Sequence, residues 1–348
     1  MIALLIRDLR LAFRPGGGFG LSYHYACGGA PSASAMAVGG MPDGGAAVAG
    51  AAWITDAGAY SIPVSRIVEM LENPGGSFQN NGAELPFPDV YMAYWVGGNP
   101  FHHHQDRNRM RKAWQKLETV VVHDFQWTAT ARHADIVLPA TTSYERNDIE
   151  QVGDYALSHI VPMKKIVEPV FEARSDFDIF ADIAEKLGQG YAYTQGLTEM
   201  DWIRKIYEAA KIESRAKGME MPVFDVFWDS NKPLAFPVSE AQEDFVRHAD
   251  FREDPLLNAL GTASGKFELY SVAIERYGYD DCPPHATWME PIERLGGLST
   301  KYPLHLAANH PQMRLHSQLC GTVNRETYEI AEREPCWMNP ADAEQRGL

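Results

Sequence analysis

Apolar positions along this chain fall into short blocks whose spacing switches between helical and extended. From Ser61, the residues Ile67, Val68 and Leu71 share a helical face, with Ser61 as a candidate cap, Pro63 in the first turn and Asn73-Pro74-Gly75-Gly76 as the stop. Val90 to Val96 is rich in Tyr, Trp and Val and is arrested by Gly97-Gly98-Asn99-Pro100, which predicts a strand feeding a loop. Arg107 to Leu117 sets Met110, Trp114 and Leu117 at helical spacing. Thr119 to Val122 is a β-branched run followed by His123-Asp124, and Asp135 to Leu138 is a further strand stopped by Pro139. Strand, helix, strand, helix, strand with short connections indicates an α/β fold: a doubly wound, mostly parallel sheet with flanking helices.

Farther along, Ser175 reads as the cap of a helix with Phe177, Phe180, Ile183, Ala184 and Leu187 inward and Gly188 closing it. Thr198 is placed to cap another helix through Tyr207, with Trp202, Ile203 and Ile206 on its apolar side. Tyr302 to Ala308 reads as a strand leading into Asn309-His310-Pro311, and Asn339 to Gly347 as a short helix. Residues 15–50 are crowded with Gly, Ala, Pro and Ser without period, the pattern of extended loop.

Composition narrows the function classes. With 45% apolar and 11% aromatic residues in 348, the chain can bury a sizeable core. Its 31 basic against 46 acidic residues give a formal charge of −15, which argues against a nucleic-acid groove or an anionic membrane surface. Any phosphate held here therefore needs local donors, because the overall field repels it. The 4 cysteines, Cys27, Cys282, Cys320 and Cys336, form no C-x-x-C pair, so neither a zinc ribbon nor an iron–sulfur cluster has a ligand set, and a disulfide framework is not expected. Arg7, Asp8 and Arg10 interrupt the first apolar residues, so no signal peptide is read there, and no stretch reaches the length of a membrane span.

In open parallel sheets, ligands bind beyond the carboxyl ends of the strands. Gly97-Gly98-Asn99, His123-Asp124 and Thr141 to Arg146 follow successive predicted strands and would line one crest. Glycines let backbone approach a diphosphate, Asn99 can donate to it, and the Asp124 carboxylate can take a forked pair of N–H donors such as guanine offers. Taken singly, each feature reads as well as a turn or a helix cap; their succession at strand ends favours a ligand. A nicotinamide or flavin site would need G-x-G-x-x-G between a strand and a helix. The nearest run, Gly16-Gly17-Gly18-Phe19-Gly20, lacks both the final glycine and the strand. The adjacent His102-His103-His104 have no further ligand in sequence, so one histidine lent to a ligand is favoured over a metal site. No nucleophile–base–orienter set can be assembled, and G-x-S-x-G is absent.

Longer motifs carry a resemblance. Gly16 to Tyr25, Gly97-Gly98-Asn99-Pro100-Phe101-His102-His103-His104-Gln105-Asp106, His123-Asp124-Phe125-Gln126-Trp127-Thr128-Ala129-Thr130-Ala131, Ala134 to Pro139 and Asn309-His310-Pro311-Gln312-Met313-Arg314-Leu315-His316-Ser317-Gln318 together resemble the dimethyl sulfoxide reductase family of molybdopterin oxidoreductases, most of all its trimethylamine N-oxide and biotin sulfoxide reductase branch. The resemblance runs from about Pro15 to the last residue. It implies a bis-molybdopterin guanine dinucleotide cofactor around molybdenum, a small N-oxide or S-oxide substrate, and an electron-donor protein such as a c-type cytochrome. It implies contacts of Asn99 and His103 with a dinucleotide, of His123, Asp124, Arg146 and Asp176 with a guanine end, and of His310, His316, Ser317 and Gln318 with a pterin. Members occur both exported to the periplasm and in the cytoplasm.

Family members are far longer, and their molybdenum-ligating serine belongs to an N-terminal portion without a counterpart here. The expected organisation is a loop-rich remnant over 1–60, an α/β dinucleotide-binding domain over 61–300, and the incomplete start of a C-terminal β-barrel over 301–348. The chain thus reads as a fragment that supplies a cofactor cradle without a catalytic residue or a protein ligand to the metal. A non-catalytic scaffold subunit that keeps the fold, or one half of a split enzyme, are the alternatives. The isolated chain is expected to expose broad apolar patches and to show negligible turnover of trimethylamine N-oxide with a reduced dye; stoichiometric molybdenum with turnover, or a sharp cooperative melt of a monomer, are the contrary results.

Overall fold

A computed structural model describes residues 60, 62–152, 159–216, 218–236, 248–291, 294, 303–311, 313, 319 and 322–348. The expected loop at 15–50, the Gly16 to Tyr25 motif, Ser61, Arg314, His316, Ser317 and Gln318 lie outside them.

A parallel sheet positions the predicted crest. Strands β3 (Met92–Val96), β4 (Thr119–Asp124) and β5 (Ile136–Pro139) lie side by side in that order, with Val96 opposite His123 and Asp124 opposite Pro139. The middle strand is buried from Val120 through His123, the near-continuous burial expected of a parallel strand covered on both faces. Between β3 and β4 run a single turn, α2 (Pro100–His103), and α3 (Arg107–Trp114). The start of α3 is fixed by Asp106, whose carboxylate accepts the Arg109 N–H at 3.1 Å. Met110, Ala113 and Trp114 of α3 pack with Ala93, Val120 and Val122 on one sheet face, joined there by Leu71 of α1 (Ile67–Glu72). Strand alternation turns Tyr94 and His123 to the opposite face, where Phe180 of α4 (Asp176–Lys186) meets both rings. Helices therefore flank the sheet on either side.

Two features were not anticipated. Strands β1 (Ser77–Asn80) and β2 (Ala83–Pro86) form an antiparallel hairpin around Asn81-Gly82, both at positive φ. A second core rests on an antiparallel sheet, β6 (Asp148–Val152), β7 (His159–Met163) and β8 (Leu234–Ala235). Ile149 and Ile160 of that sheet are covered by Ile203, Tyr207 and Ala210 of α6 (Glu199–Ala216) and by Phe224 and Phe227 of α7 (Phe224–Ser230). A short helix, α5 (Gly190–Thr194), connects α4 to α6.

Other boundaries shift in informative ways. The first helix opens with a 3-10 turn, Val64–Arg66, behind Pro63. In α4, Ser175 caps as expected, accepting the Asp178 N–H at 3.1 Å, but Ile179 supplies the buried apolar contact, and Leu187, which caps the helix beyond its last residue, is 71% exposed. Helix α6 starts behind Thr198 as expected and runs well past Tyr207. Residues 303–308 form no strand: they are exposed, with no ladder beside them among the described residues to satisfy an extended backbone. The short helix after Asn339 is present as Pro340–Glu344, with the Asn339 side chain accepting the Ala341 N–H. No described helix is long and apolar enough to cross a membrane.

Buried apolar side chains run from Leu71 to Phe236, whereas Leu256, Leu269, Trp288, Leu306 and Trp337 are exposed. Truncating a side chain is expected to cost accordingly. Met110→Ala, at a fully buried position, should lower stability by about 2–5 kcal/mol, read as faster native-state hydrogen exchange of the β4 amides. Leu256→Ala should change it by no more than about 0.5 kcal/mol.

Candidate functional site

The carboxyl ends of β3, β4 and β5 converge with the start of α4. Backbone pairing beyond β5 causes this: Arg174 N–H donates to the Pro139 carbonyl at 3.1 Å, and Thr141 N–H to the Arg174 carbonyl at 2.9 Å. Ser175 and Asp176 are thereby placed at the crest, although they lie far from β4 in sequence.

After β3, Gly97 and Gly98 take φ of +67° and +80°, a left-handed pair that side-chain-bearing residues resist. A Cβ on Gly97 would meet nothing within 4 Å, so the backbone there faces open space, whereas one on Gly98 would press on Trp95 Nε1 at 3.3 Å. Asn99 is buried, and its side-chain oxygen accepts both the Thr130 N–H (3.1 Å) and the Thr130 hydroxyl (2.6 Å). Because Thr130 N–H can only donate, the Asn99 oxygen must face it, which turns the amide NH2 away as a donor for something else. Thr130 itself is fully buried. Only the backbone of His103, the last residue of α2, is described.

His123, at the end of β4, is 1% exposed and bonded at both nitrogens. Nδ1 lies 2.7 Å from Asp176 Oδ1 and Nε2 lies 2.7 Å from the Tyr94 hydroxyl. Burial, then the Asp176 charge, push the Tyr94 hydroxyl above its ordinary pKa. The same causes push Tyr193, which stands beside Phe177 and Phe180, up to about 12. Both phenols therefore remain neutral donors across the physiological range. The neighbouring Asp124 is half-buried; one carboxylate oxygen accepts the Phe125 N–H at 2.9 Å and the other the Thr128 hydroxyl at 2.7 Å. The turn reading and the ligand reading of Asp124 thus coexist, since each oxygen keeps a lone pair. Phe125 and Trp127 leave exposed rings beside it.

Arg146 arrives through the second sheet. It pairs with Asp148 at the start of β6 and contributes to the field at Glu199, the first residue of α6. Burial, the largest influence, holds the Glu199 carboxyl above the usual range, against the opposing pull of Ser175, Arg146 and Asn147 nearby. The second core is in this way tied to the start of α4. Glu145, by contrast, is a structural carboxylate: it accepts from Thr142 N–H, Thr142 hydroxyl and Val170 N–H, and these bonds hold its pKa down.

Asn99, His123, Asp124 and Asp176 are thus gathered at the crest, with Arg146 connected to it through Glu199 and Ser175. His310 is exposed in a stretch without regular structure. Sequence reasoning missed Tyr94 and Thr130, which sit inside apolar or small-residue runs and acquire a role only by register. It also found no orienting triad, because Tyr94, His123 and Asp176 are separated by 29 and 53 positions.

A family model described as molybdopterin oxidoreductase matches residues 7–186, more than half of the chain. A dimethyl sulfoxide/trimethylamine N-oxide reductase of Cereibacter sphaeroides is 63% identical over 96% of this chain and 40% of its own length. A trimethylamine-N-oxide reductase of Haemophilus influenzae is 49% identical over 96% and 41%, and one of Salmonella typhimurium is 42% identical over 100% and 41%. The chain thus spans about two fifths of the length of these curated relatives. Among solved structures, the acetylene hydratase of Pelobacter acetylenicus superposes with a TM-score of 0.51 at 21% identity, covering 76% of this chain and 33% of that one, which is a likeness of fold. With the parallel sheet, its crest and a family match that spans both, the chain belongs to the molybdopterin oxidoreductase family.

Proposed function

We propose that this chain forms one cradle of a bis-molybdopterin guanine dinucleotide cofactor in an enzyme that reduces small N-oxides or S-oxides. The observation that carries this reading is the convergence of Gly97–Asn99, His123–Asp124 and Asp176 at the carboxyl ends of a parallel sheet. The chemistry of the residues suits the group. The open left-handed glycines admit a diphosphate against backbone, and the Asn99 amide supplies a donor in a chain of net negative charge. Asp176 and Asp124 retain acceptor capacity for a purine that offers donors, and Arg146 supplies positive charge at the rim. His103 would add a contact near Asn99, and His310, His316, Ser317 and Gln318 would lie near a pterin.

When bound, the metal centre would supply two-electron reduction of the oxide with removal of its oxygen as water. The residues of this chain would bind and orient the cofactor, and none of them is assigned a catalytic step. The parent would take electrons from a donor protein, a c-type cytochrome being the fitting class, and would act in the periplasm. Its fold would extend the parallel sheet into a doubly wound one. The α/β domain would span 61–300, with a C-terminal barrel beginning at about 301 and a loop-rich segment over 1–60.

Isothermal titration of the full chain is expected to show one molar equivalent of guanosine diphosphate bound more tightly than adenosine diphosphate; equal affinity, or no binding, would overturn the nucleotide reading. Thr130→Val keeps the volume and the backbone N–H but removes the hydroxyl, the shorter of the two bonds that hold the Asn99 oxygen. It should lower stability by about 1 kcal/mol and weaken both diphosphates alike, since the lost steering acts on the phosphates.

A further inference from the structure

A buried imidazole has few ways to satisfy both nitrogens, and its partners here decide which one it uses. The Asp176 carboxylate can only accept, so the ring hydrogen belongs on Nδ1. The neutral ring then presents Nε2 as an acceptor, and the Tyr94 hydroxyl donates to it. Phe180 packs against both rings, 5.7 Å from Tyr94 and 5.0 Å from His123 between centroids, which restricts their tilt. The outcome is visible at Asp176. One carboxylate oxygen is held from inside, while the side chain remains 47% exposed toward the crest.

A carboxylate held in this way is a directional reader. Guanine presents N1–H and the 2-amino group as parallel donors, which a carboxylate accepts as a fork. Hypoxanthine offers N1–H alone, and adenine turns the lone pair of its N1 toward the carboxylate, which repels it. The discrimination depends on the carboxylate staying ionised and unrotated. Without the Tyr94 hydroxyl, Nε2 is left a buried acceptor without a donor, and the ring can tilt in its pocket and carry its Nδ1–H, with the Asp176 carboxylate bonded to it, off the line of the fork.

We propose that Tyr94 is a positioning residue which, through the His123 ring, fixes the Asp176 carboxylate as the fork that selects a purine bearing both N1–H and 2-amino donors. This rests on the nucleotide reading above and assigns its base selectivity to a side chain in β3 that touches no ligand.

The test compares guanosine, inosine and adenosine diphosphates by isothermal titration on the full chain and on Tyr94→Phe. Nitrogen spectra of 15N-histidine-labelled, ligand-free protein report the His123 tautomer. In Tyr94→Phe, guanosine diphosphate should weaken by about five- to tenfold, the effect of one lost hydrogen bond. Adenosine diphosphate should hold within about twofold, since phosphate contacts remain. The His123 ring should keep its hydrogen on Nδ1, while its Nε2 signal shifts as the hydrogen bond from Tyr94 is lost. Equal weakening of all three nucleotides would mark Tyr94 as packing only and overturn the proposal, as would an unchanged guanine preference. If the unaltered chain does not prefer guanine at all, the nucleotide reading itself fails. The tautomer measurement needs no variant: a neutral Nε2–H form of His123 in the unaltered protein sinks the proposal even if Tyr94→Phe does not fold.

Discussion

The crest depends on one buried histidine. A polar ring in the middle strand of a parallel sheet destabilises that sheet unless both of its nitrogens are bonded, and His123 meets the requirement with groups from two other elements. Tyr94 comes from the adjacent strand and Asp176 from the first turn of a helix that begins half the domain later. The pairing of Arg174 beyond β5 sets where α4 starts, and that start brings Asp176 to the imidazole and completes the crest. Burial of His123 and exposure of Asp176 are two ends of the same arrangement: the inner end carries the structural constraint, and the outer end is left free to meet a ligand.

A second connection reinforces the first. The Ser175 hydroxyl caps α4, and Glu199, the first residue of α6, lies close enough to Ser175, Asn147 and Arg146 for all three to act on its carboxyl. The antiparallel sheet with its own core thus grips the same helix end from the other side. Arg146 of the antiparallel sheet is in this way brought near the start of α4. The exposed apolar residues beyond Phe236 take no part in this grip.

The parallel sheet was legible because its signals are local. β-branched and aromatic blocks stopped by Gly97-Gly98-Asn99-Pro100 and Pro139 state strand and turn within a few residues, and the Asp106 and Ser175 caps mark helix starts by chemistry alone. The antiparallel sheet was not legible, since Asp148–Val152 mixes acidic and apolar residues and gains its ladder from a partner, His159–Met163, across a connecting segment. The hairpin at Asn81-Gly82 had a readable signal, an Asn-Gly pair between extended segments, which the weakly apolar flanks Ser77–Asn80 and Ala83–Pro86 obscured. Leu187 shows the opposite failure: helical spacing placed it inward, yet spacing says nothing about where a helix parts from its sheet.

The same division runs through the site. Asn99 and Asp124 could be named from sequence because each follows a strand and carries a group suited to a ligand. Asp176 could be named only by resemblance, for its local context is a capped helix start like many others. Tyr94 and Thr130 could be named by neither route. Each bonds to a residue of the crest from behind, Thr130 turning the Asn99 amide and Tyr94 holding the His123 ring. A ligand-facing group announces itself by its type, whereas the group that aims it is recognisable only once register has set the two side by side. In this chain, the shape of the crest therefore rests as much on the side chains behind it as on those it displays.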